Sequence, residues 1–215
     1  MNASAMEIIR KHAADGLKSR EAFFSAHSDL VLDAARLMSV CLARKGKILV
    51  CGNGGSAADA QHVAAEFVNR FMLERPPLAA VALATDGSVL TSISNDYSYE
   101  QVFAKQVLAL GREGDVLLAI STSGGSTNVL KAIQAARERK LHVIGLTGGK
   151  GGSMAGLCDL LLEVDAPNTA LVQEVHLSIE HMLCRLCDYY LFERVQELMP
   201  LLQRGSGVAG TGYPN

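Results

Sequence analysis

Five short apolar runs punctuate the middle of the chain: Lys47–Cys51, Leu78–Leu83, Asp115–Ser121, His142–Thr147 and Leu160–Val164. Each gives way to glycines or polar turn residues, and then to a stretch whose apolar positions recur at helical spacing. Runs that are apolar on both faces and alternate with helices predict an α/β fold, an open parallel five-stranded sheet with helices on both faces. Ahead of the first run, Met6–Arg44 has apolar positions at helical spacing, charges between them and no proline. This predicts extra N-terminal helices with a break near Gly16. After the last run, Thr169 to about Leu202 predicts one long helix or two in succession. Pro76-Pro77 marks the linker into the second strand, and Gly148-Gly149-Lys150-Gly151-Gly152 reads as a flexible loop after the fourth. Residues 1–203 are thus expected to form a single domain with a helical segment over about 1–44. Residues 204–215, rich in glycine, are expected to be a disordered tail.

Composition narrows the class. A chain of 215 residues that is 49% hydrophobic fills one core. Its net charge of -2, from 22 acidic and 20 basic residues, creates no field that favours nucleic acid or an anionic membrane. Any anionic ligand must therefore be held by local groups. Five cysteines, Cys41, Cys51, Cys158, Cys184 and Cys187, are odd in number and lie mostly in apolar surroundings. They fit reduced thiols in a cytoplasm better than a disulfide framework. Cys184-x-x-Cys187 sits inside a helical pattern without a second pair, which argues against a metal site there. Neither a cleaved leader nor an apolar run of membrane-spanning length is evident, so a soluble, cytoplasmic protein is expected. The helical ends are more apolar than a monomer's surface needs, which predicts a homo-oligomer.

In an open parallel sheet, ligands collect at the carboxyl ends of strands, where helix N-termini direct their free N–H groups. Two strand ends are suited to this. The first carries Asn53-Gly54-Gly55-Ser56, where paired glycines let backbone approach a ligand closely and Ser56 adds a side-chain donor. Its spacing matches neither a dinucleotide nor a nucleoside triphosphate loop. The second carries Ser121-Thr122-Ser123-Gly124-Gly125-Ser126-Thr127 directly before a helix over Asn128–Arg139. Serine and threonine are ordinary helix caps, but hydroxyls in this number exceed what capping requires and suit a phosphate held by neutral donors and a helix dipole.

The helix leaving the first loop bears His62 and Glu66, four residues apart and so about 40° apart around its axis. Alanines at 57, 58, 60, 64 and 65 keep this helix slim. The final helix bears Gln173 and His181, eight residues apart and within about 80° of one another. Two histidines, a glutamate and a glutamine could bind a divalent metal, zinc being suited to such nitrogen and oxygen ligands. Direct acid/base chemistry by Glu66 and His181 is the other reading of the same residues. His176 points to a different side of its helix and reads as structural, and His12, His27 and His142 as surface or packing residues.

Taken together, these motifs resemble the sugar isomerase (SIS) domain family, and within it the phosphoheptose isomerase group. The matching stretches are Cys51-Gly-Asn-Gly-Gly-Ser56, Asp59-Ala-Gln-His62 with Glu66, Ala84-Thr-Asp86, Asn95-Asp96, Ser121-Thr-Ser-Gly124, and Gln173-Glu-Val-His176 with His181, spread over Met6–Leu202. The resemblance implies an enediol isomerisation of sedoheptulose 7-phosphate to D-glycero-D-manno-heptose 7-phosphate, a heptose precursor of lipopolysaccharide or another surface glycan. It implies Glu66 as base and His181 as acid, and one zinc ion held by His62, Glu66, Gln173 and His181. Substrate contacts would come from Asn53, Gly54, Gly55, Ser56, Glu66, Asn95, Asp96, Ser121, Thr122, Ser123, Ser126 and Gln173, in a homotetramer whose sites draw on more than one subunit. Two positions depart from the pattern: Gly125 stands where relatives commonly have asparagine, and Leu171 where they often have arginine. Two other readings share the fold: an isomerase for another phosphosugar, and a non-catalytic protein that binds the replication initiator. Relatives of the latter kind typically lack the carboxylate and the second histidine, both present here as Glu66 and His181.

Overall fold

The computed structural model describes residues 3–203; the tail expected over 204–215 lies outside the described residues. In chain order the elements are α1 (Ala3–Ala43), β1 (Ile48–Gly52), α2 (Gly55–Val68), β2 (Ala80–Ala82), α3 (Gly87–Asp96) and α4 (Val102–Leu110). There follow β3 (Val116–Ser121), α5 (Thr127–Glu138), β4 (His142–Gly148), β5 (Leu160–Val164), α6 (Thr169–Asp188) and α7 (Val195–Gln203). The five strands form one parallel sheet in the order β2-β1-β3-β4-β5.

Successive residues of a strand face opposite sides, and the core divides accordingly. Ile48, Val50, Val116, Leu118, Ile120, Ile144 and Leu146 face a cluster built with α1, α2, α6 and α7. Leu49, Cys51, Leu117, Ala119 and Val143 face the other cluster, built with α4 and α5. The three inner strands are buried along almost their whole length, which is why they read as unbroken apolar runs. Two consequences place the site. The helices α2 and α6 share one face of the sheet and can meet. β1 and β3 are neighbours although β2 lies between them in sequence, so this is the point where the strand order reverses, and a crevice opens beyond their carboxyl ends.

The N-terminal region differs from expectation. α1 is assigned continuously through Gly16, and its irregular residue is His27, at φ −129 and ψ 15. Gly16 serves close packing instead: a Cβ there would lie 3.3 Å from both Glu174 Oε2 and Leu171 Cδ2 of α6. One turn earlier, His12 Nε2 is 2.8 Å from Glu174 Oε1. At the other end, α6 and α7 are two helices joined through a π-helical turn at Tyr189–Glu193. All five cysteines are free thiols, and burial pushes those of Cys41, Cys51, Cys158 and Cys187 up to about 12, so none is poised to react at neutral pH.

Two buried titratable groups on α6 give the fold an opposed pH response. His176 is fully buried with Nε2 3.2 Å from the Thr147 carbonyl oxygen, and burial holds its pKa down at about 4. Glu180 is raised to about 8, first by burial and then by the charge of Asp59. From the free-histidine value of 6.5 down to about 4, the unfolded chain takes up a proton at residue 176 that the folded chain refuses, so this residue lowers stability as pH falls. From 4.5 up to about 8, the folded chain keeps a proton on Glu180 that the unfolded chain has lost, so that residue lowers stability as pH rises. The slopes oppose each other where the windows overlap. His176→Gln keeps an N–H for Thr147 and removes the first slope. Relative to the parent, the variant should gain stability progressively from pH 6.5 to 4, by up to about 3 kcal/mol at 1.36 kcal/mol per pKa unit. Urea unfolding at a series of pH values measures this; a difference that stays flat across the window would contradict it.

Candidate active site

The two loops predicted from sequence sit side by side at the β1–β3 crevice. In the first, Gly54 adopts φ +56, which only glycine takes without strain. Gly55 has no room for a Cβ, because the Gln173 side-chain amide of α6 occupies that space. In the second, Gly124 has φ +62, and Ser121 Oγ donates to Ser126 Oγ at 3.1 Å and lies 3.5 Å from Ser123 Oγ. Ser123 Oγ also accepts from the Gly125 N–H at 3.2 Å.

Helix capping does not account for these residues. α3 and α6 each begin with a side-chain cap, Asp86 accepting from Val89 N and Asn168 from Leu171 N. α2 and α5, which start from the two loops, have none: Gly54 has no side chain, and Ser126 makes no cap bond. Ala57 N–H is taken by the Gly54 carbonyl and Val129 N–H by Asn128 Oδ1, which leaves the N–H groups ahead of them to an incoming acceptor, an arrangement that favours an anion at each start.

Asn128, in the first turn of α5, is a residue the sequence reading missed. Its side-chain amide exchanges two hydrogen bonds with that of Asn53, each 2.8 Å, so the two loops are stapled to one another. Tyr99 Oη adds a third bond to Asn53 Oδ1, at 3.0 Å. The Asn53 side chain is therefore committed to holding the loops. The glycine run after β4 also has a role that composition did not suggest. Gly148 N–H donates to Thr122 O at 3.0 Å, and a Cβ on Gly148 would overlap that same oxygen. A Cβ on Gly152 would lie 2.6 Å from Ser123 O. These glycines form the close-fitting floor of the hydroxyl-rich loop.

On the shared face, α2 buries Ser56, Ala60, Val63, Ala64 and Phe67, which turns His62 and Glu66 sideways towards α6. His62 Nε2 and His181 Nε2 approach to 2.8 Å, and His62 Nδ1 is 3.7 Å from Glu66 Oε1. The Phe71 ring stacks on His181 with centroids 5.2 Å apart. Burial, then the neighbouring His62, lower the His181 pKa, while Glu66 opposes them. A cleft of about 320 Å³ between α1 and α6, lined by Arg20, Glu174, Leu177 and Ser178 among others, opens onto His181. Among the described residues no three His, Cys, Asp or Glu side chains converge on one point. Two imidazole nitrogens do converge, with Glu66 on the far side of one ring and Gln173 held at the start of α2.

The remaining predicted residues make contacts of their own. Asn95 and Asp96, which the resemblance implies as substrate contacts, are the last two residues of α3, exposed and hydrogen-bonded to each other at 2.9 Å. Thr122 faces the glycine run through its carbonyl.

Comparison with known proteins shows the family of the chain. Residues 12–148 match the model of the SIS domain. The chain belongs to the SIS domain family. It is 59% identical over 203 residues to a phosphoheptose isomerase of Nitratidesulfovibrio vulgaris (Hildenborough), covering 94% of this chain and 98% of that one. It is 62% identical over 164 residues to another from Azoarcus sp., covering 75% and 83%. Solved phosphoheptose isomerases from Neisseria gonorrhoeae and Francisella tularensis superpose on this SIS fold with TM-scores of 0.81 and 0.83, at 49% and 41% identity. Each covers 86% of this chain and 98% of its own.

The floor of the hydroxyl-rich loop yields a direct test. Gly148→Ala should displace Thr122 and with it the loop, raising KM for a phosphosugar at least roughly tenfold, as loss of one charged hydrogen bond would. Binding of inorganic phosphate should weaken in step. An unchanged KM in a folded variant would show that the loop does not hold the phosphate.

Proposed function

We infer that the protein is a phosphoheptose isomerase, interconverting sedoheptulose 7-phosphate and D-glycero-D-manno-heptose 7-phosphate through an enediol. The observation that carries this reading is the meeting of α2 and α6 at 2.8 Å between His62 and His181, with Glu66 beside them, next to two uncapped helix starts. Uncapped N–H groups and neutral hydroxyls hold a dianion; the imidazoles and carboxylate are free to do chemistry on the rest of the molecule. A binding protein would need the loops and not the pair. The relatives at 59% identity and the solved enzymes at 49% and 41% support the heptose substrate.

The phosphate binds at the hydroxyl-rich loop, against Ser121, Thr122, Ser123 and Ser126 and the α5 N-terminus. The Asn53–Ser56 loop supplies backbone donors to the sugar, and Asn95 and Asp96 its hydroxyl partners. Glu66 takes the proton from C1 of the ketose, the electron pair forms the C1–C2 double bond, and the C2 carbonyl oxygen gains charge. His181, whose pKa burial and then His62 lower, donates to that oxygen. Return of the proton to C2, with loss of the C1 hydroxyl proton, gives the aldose. The nitrogen and oxygen donors His62, Glu66, Gln173 and His181 are of the kinds zinc takes and would hold it, the two imidazole nitrogens already facing one another. Zinc, when bound, supplies a Lewis acid for the substrate oxygens.

Among the described residues no helix is long and apolar enough to cross a membrane. With free cysteines and no charge for nucleic acid, a cytoplasmic enzyme acting on a small phosphosugar fits best. Ile9 and Leu17 on α1, about 80° apart around the helix, are 60% and 64% exposed, a face that assembly as a homotetramer would cover.

Glu66→Gln keeps the shape and removes the base. Turnover should fall by at least about 10²-fold, the low end for general base catalysis, with assembly intact. Retention of near-normal exchange of the substrate's C1 proton with solvent deuterium would show that Glu66 is not the base. Incubation with ketose phosphates of five to seven carbons, followed by NMR, should give aldose from the heptulose preferentially. For zinc, His62→Ala should lower bound metal and make activity depend on added metal; a chelator that strips all metal without loss of rate would remove zinc from the reaction.

A further inference from the structure

Arg75 lies in the segment between α2 and β2, outside both loops and both catalytic helices, yet it is one of the few buried charges. Its Nη2 donates to Glu66 O at 2.8 Å, and its Nη1 to Phe67 O at 2.7 Å, Asn69 O at 3.2 Å and Pro76 O at 3.2 Å. Its Nε donates to Asp188 Oδ1 at 2.9 Å. The side chains of this pair are 2% and 1% exposed.

We propose that Arg75 is a positioning residue that sets the register of the two helices bearing the acid/base pair. Three of the carbonyls it binds, those of Glu66, Phe67 and Asn69, close the C-terminal end of α2, where a cation also complements the helix dipole. Glu66 is itself one of those residues, so the guanidinium grips the backbone of the base. Asp188 is the last residue of α6, two turns after His181. One rigid fork therefore ties the ends of both helices at the side where His62 and His181 meet at 2.8 Å. A buried ion pair is a weak source of stability, because desolvating two charges offsets most of their attraction. Fixed geometry is what this pair contributes. Lysine would keep the charge and lose the fork, since an ammonium cannot span Nε-to-Asp188 and Nη-to-carbonyl contacts together.

The inference rests on the isomerase reading, so the test has one arm that does not depend on activity. In Arg75→Lys, kcat should fall between about 10-fold and 10²-fold, as expected for an ångström-scale misplacement, with KM within about twofold because the phosphate loop is carried by β3 and α5. Ring 15N shifts of His62 and His181 should lose the signature of their mutual contact in the same variant. Asp188→Asn should do both to a lesser degree, and it decides the matter if Arg75→Lys does not fold. A lower melting temperature with kcat per folded enzyme and imidazole shifts unchanged would overturn the proposal, as would failure of both variants to fold. If the parent catalyses no isomerisation, the functional reading falls, and the 15N shifts alone decide whether Arg75 sets the register.

Discussion

Everything in the site follows from one pairing, β1 against β3. Their register, Cys51 beside Ala119 and Gly52 beside Ile120, ends both strands at the same level, so the loops after them emerge as neighbours. Because β2 leaves on the outer side of β1, the chain must cross back to start β3, and the helices that follow the two strands depart to opposite faces of the sheet. A crevice with two helix N-termini at its lip is then unavoidable. The amide exchange between Asn53 and Asn128 locks the two lips together at a level the sheet alone does not reach.

Close approach of backbone to backbone is the second constraint, and it explains most of the glycine chemistry. The hydroxyl-rich loop rests on the run after β4 with no side chains between, so Gly148 and Gly152 can be nothing larger. Gly55 yields its Cβ space to Gln173, and Gly16 yields its own to Glu174 and Leu171. In each case the missing side chain brings α6, or a loop tied to it, one atom layer closer to the crevice. The departures at Gly125 and Leu171 differ in this respect: a Cβ on Gly125 would meet nothing closer than 3.8 Å, whereas Leu171 is fully buried against Gly16.

What was legible in the sequence was what leaves a one-dimensional trace. Buried parallel strands read as apolar runs, and all five appear within two residues of their predicted bounds. The His62–Glu66 and Gln173–His181 pairs were visible as helical spacings, and the sheet topology, not the spacing, put α2 and α6 on one face. The break near Gly16 was misread because glycine marks either a broken helix or a packed one, and only the partner helix distinguishes them. Asn128 left no trace, since one asparagine in a first turn looks like any other until Asn53 faces it. Arg75 was invisible for the same reason: an arginine before Pro76-Pro77 reads as linker, and its five acceptors come from three separate stretches of chain.

The imidazole pair shows how geometry can be shared by two chemistries. Two ring nitrogens 2.8 Å apart cannot both carry protons on the facing atoms, so the pair holds at most one proton between them. That requirement already keeps at least one ring neutral, and burial beside Phe71 lowers the affinity of His181 for a proton further. A neutral imidazole is at once a metal ligand and a hydrogen-bond donor through its other nitrogen. Either use demands the same thing of the scaffold, that α2 and α6 stay within hydrogen-bond distance at these residues. The energy spent on burying Arg75 and Asp188 is therefore understandable whichever use prevails, because both fail if the helices slide.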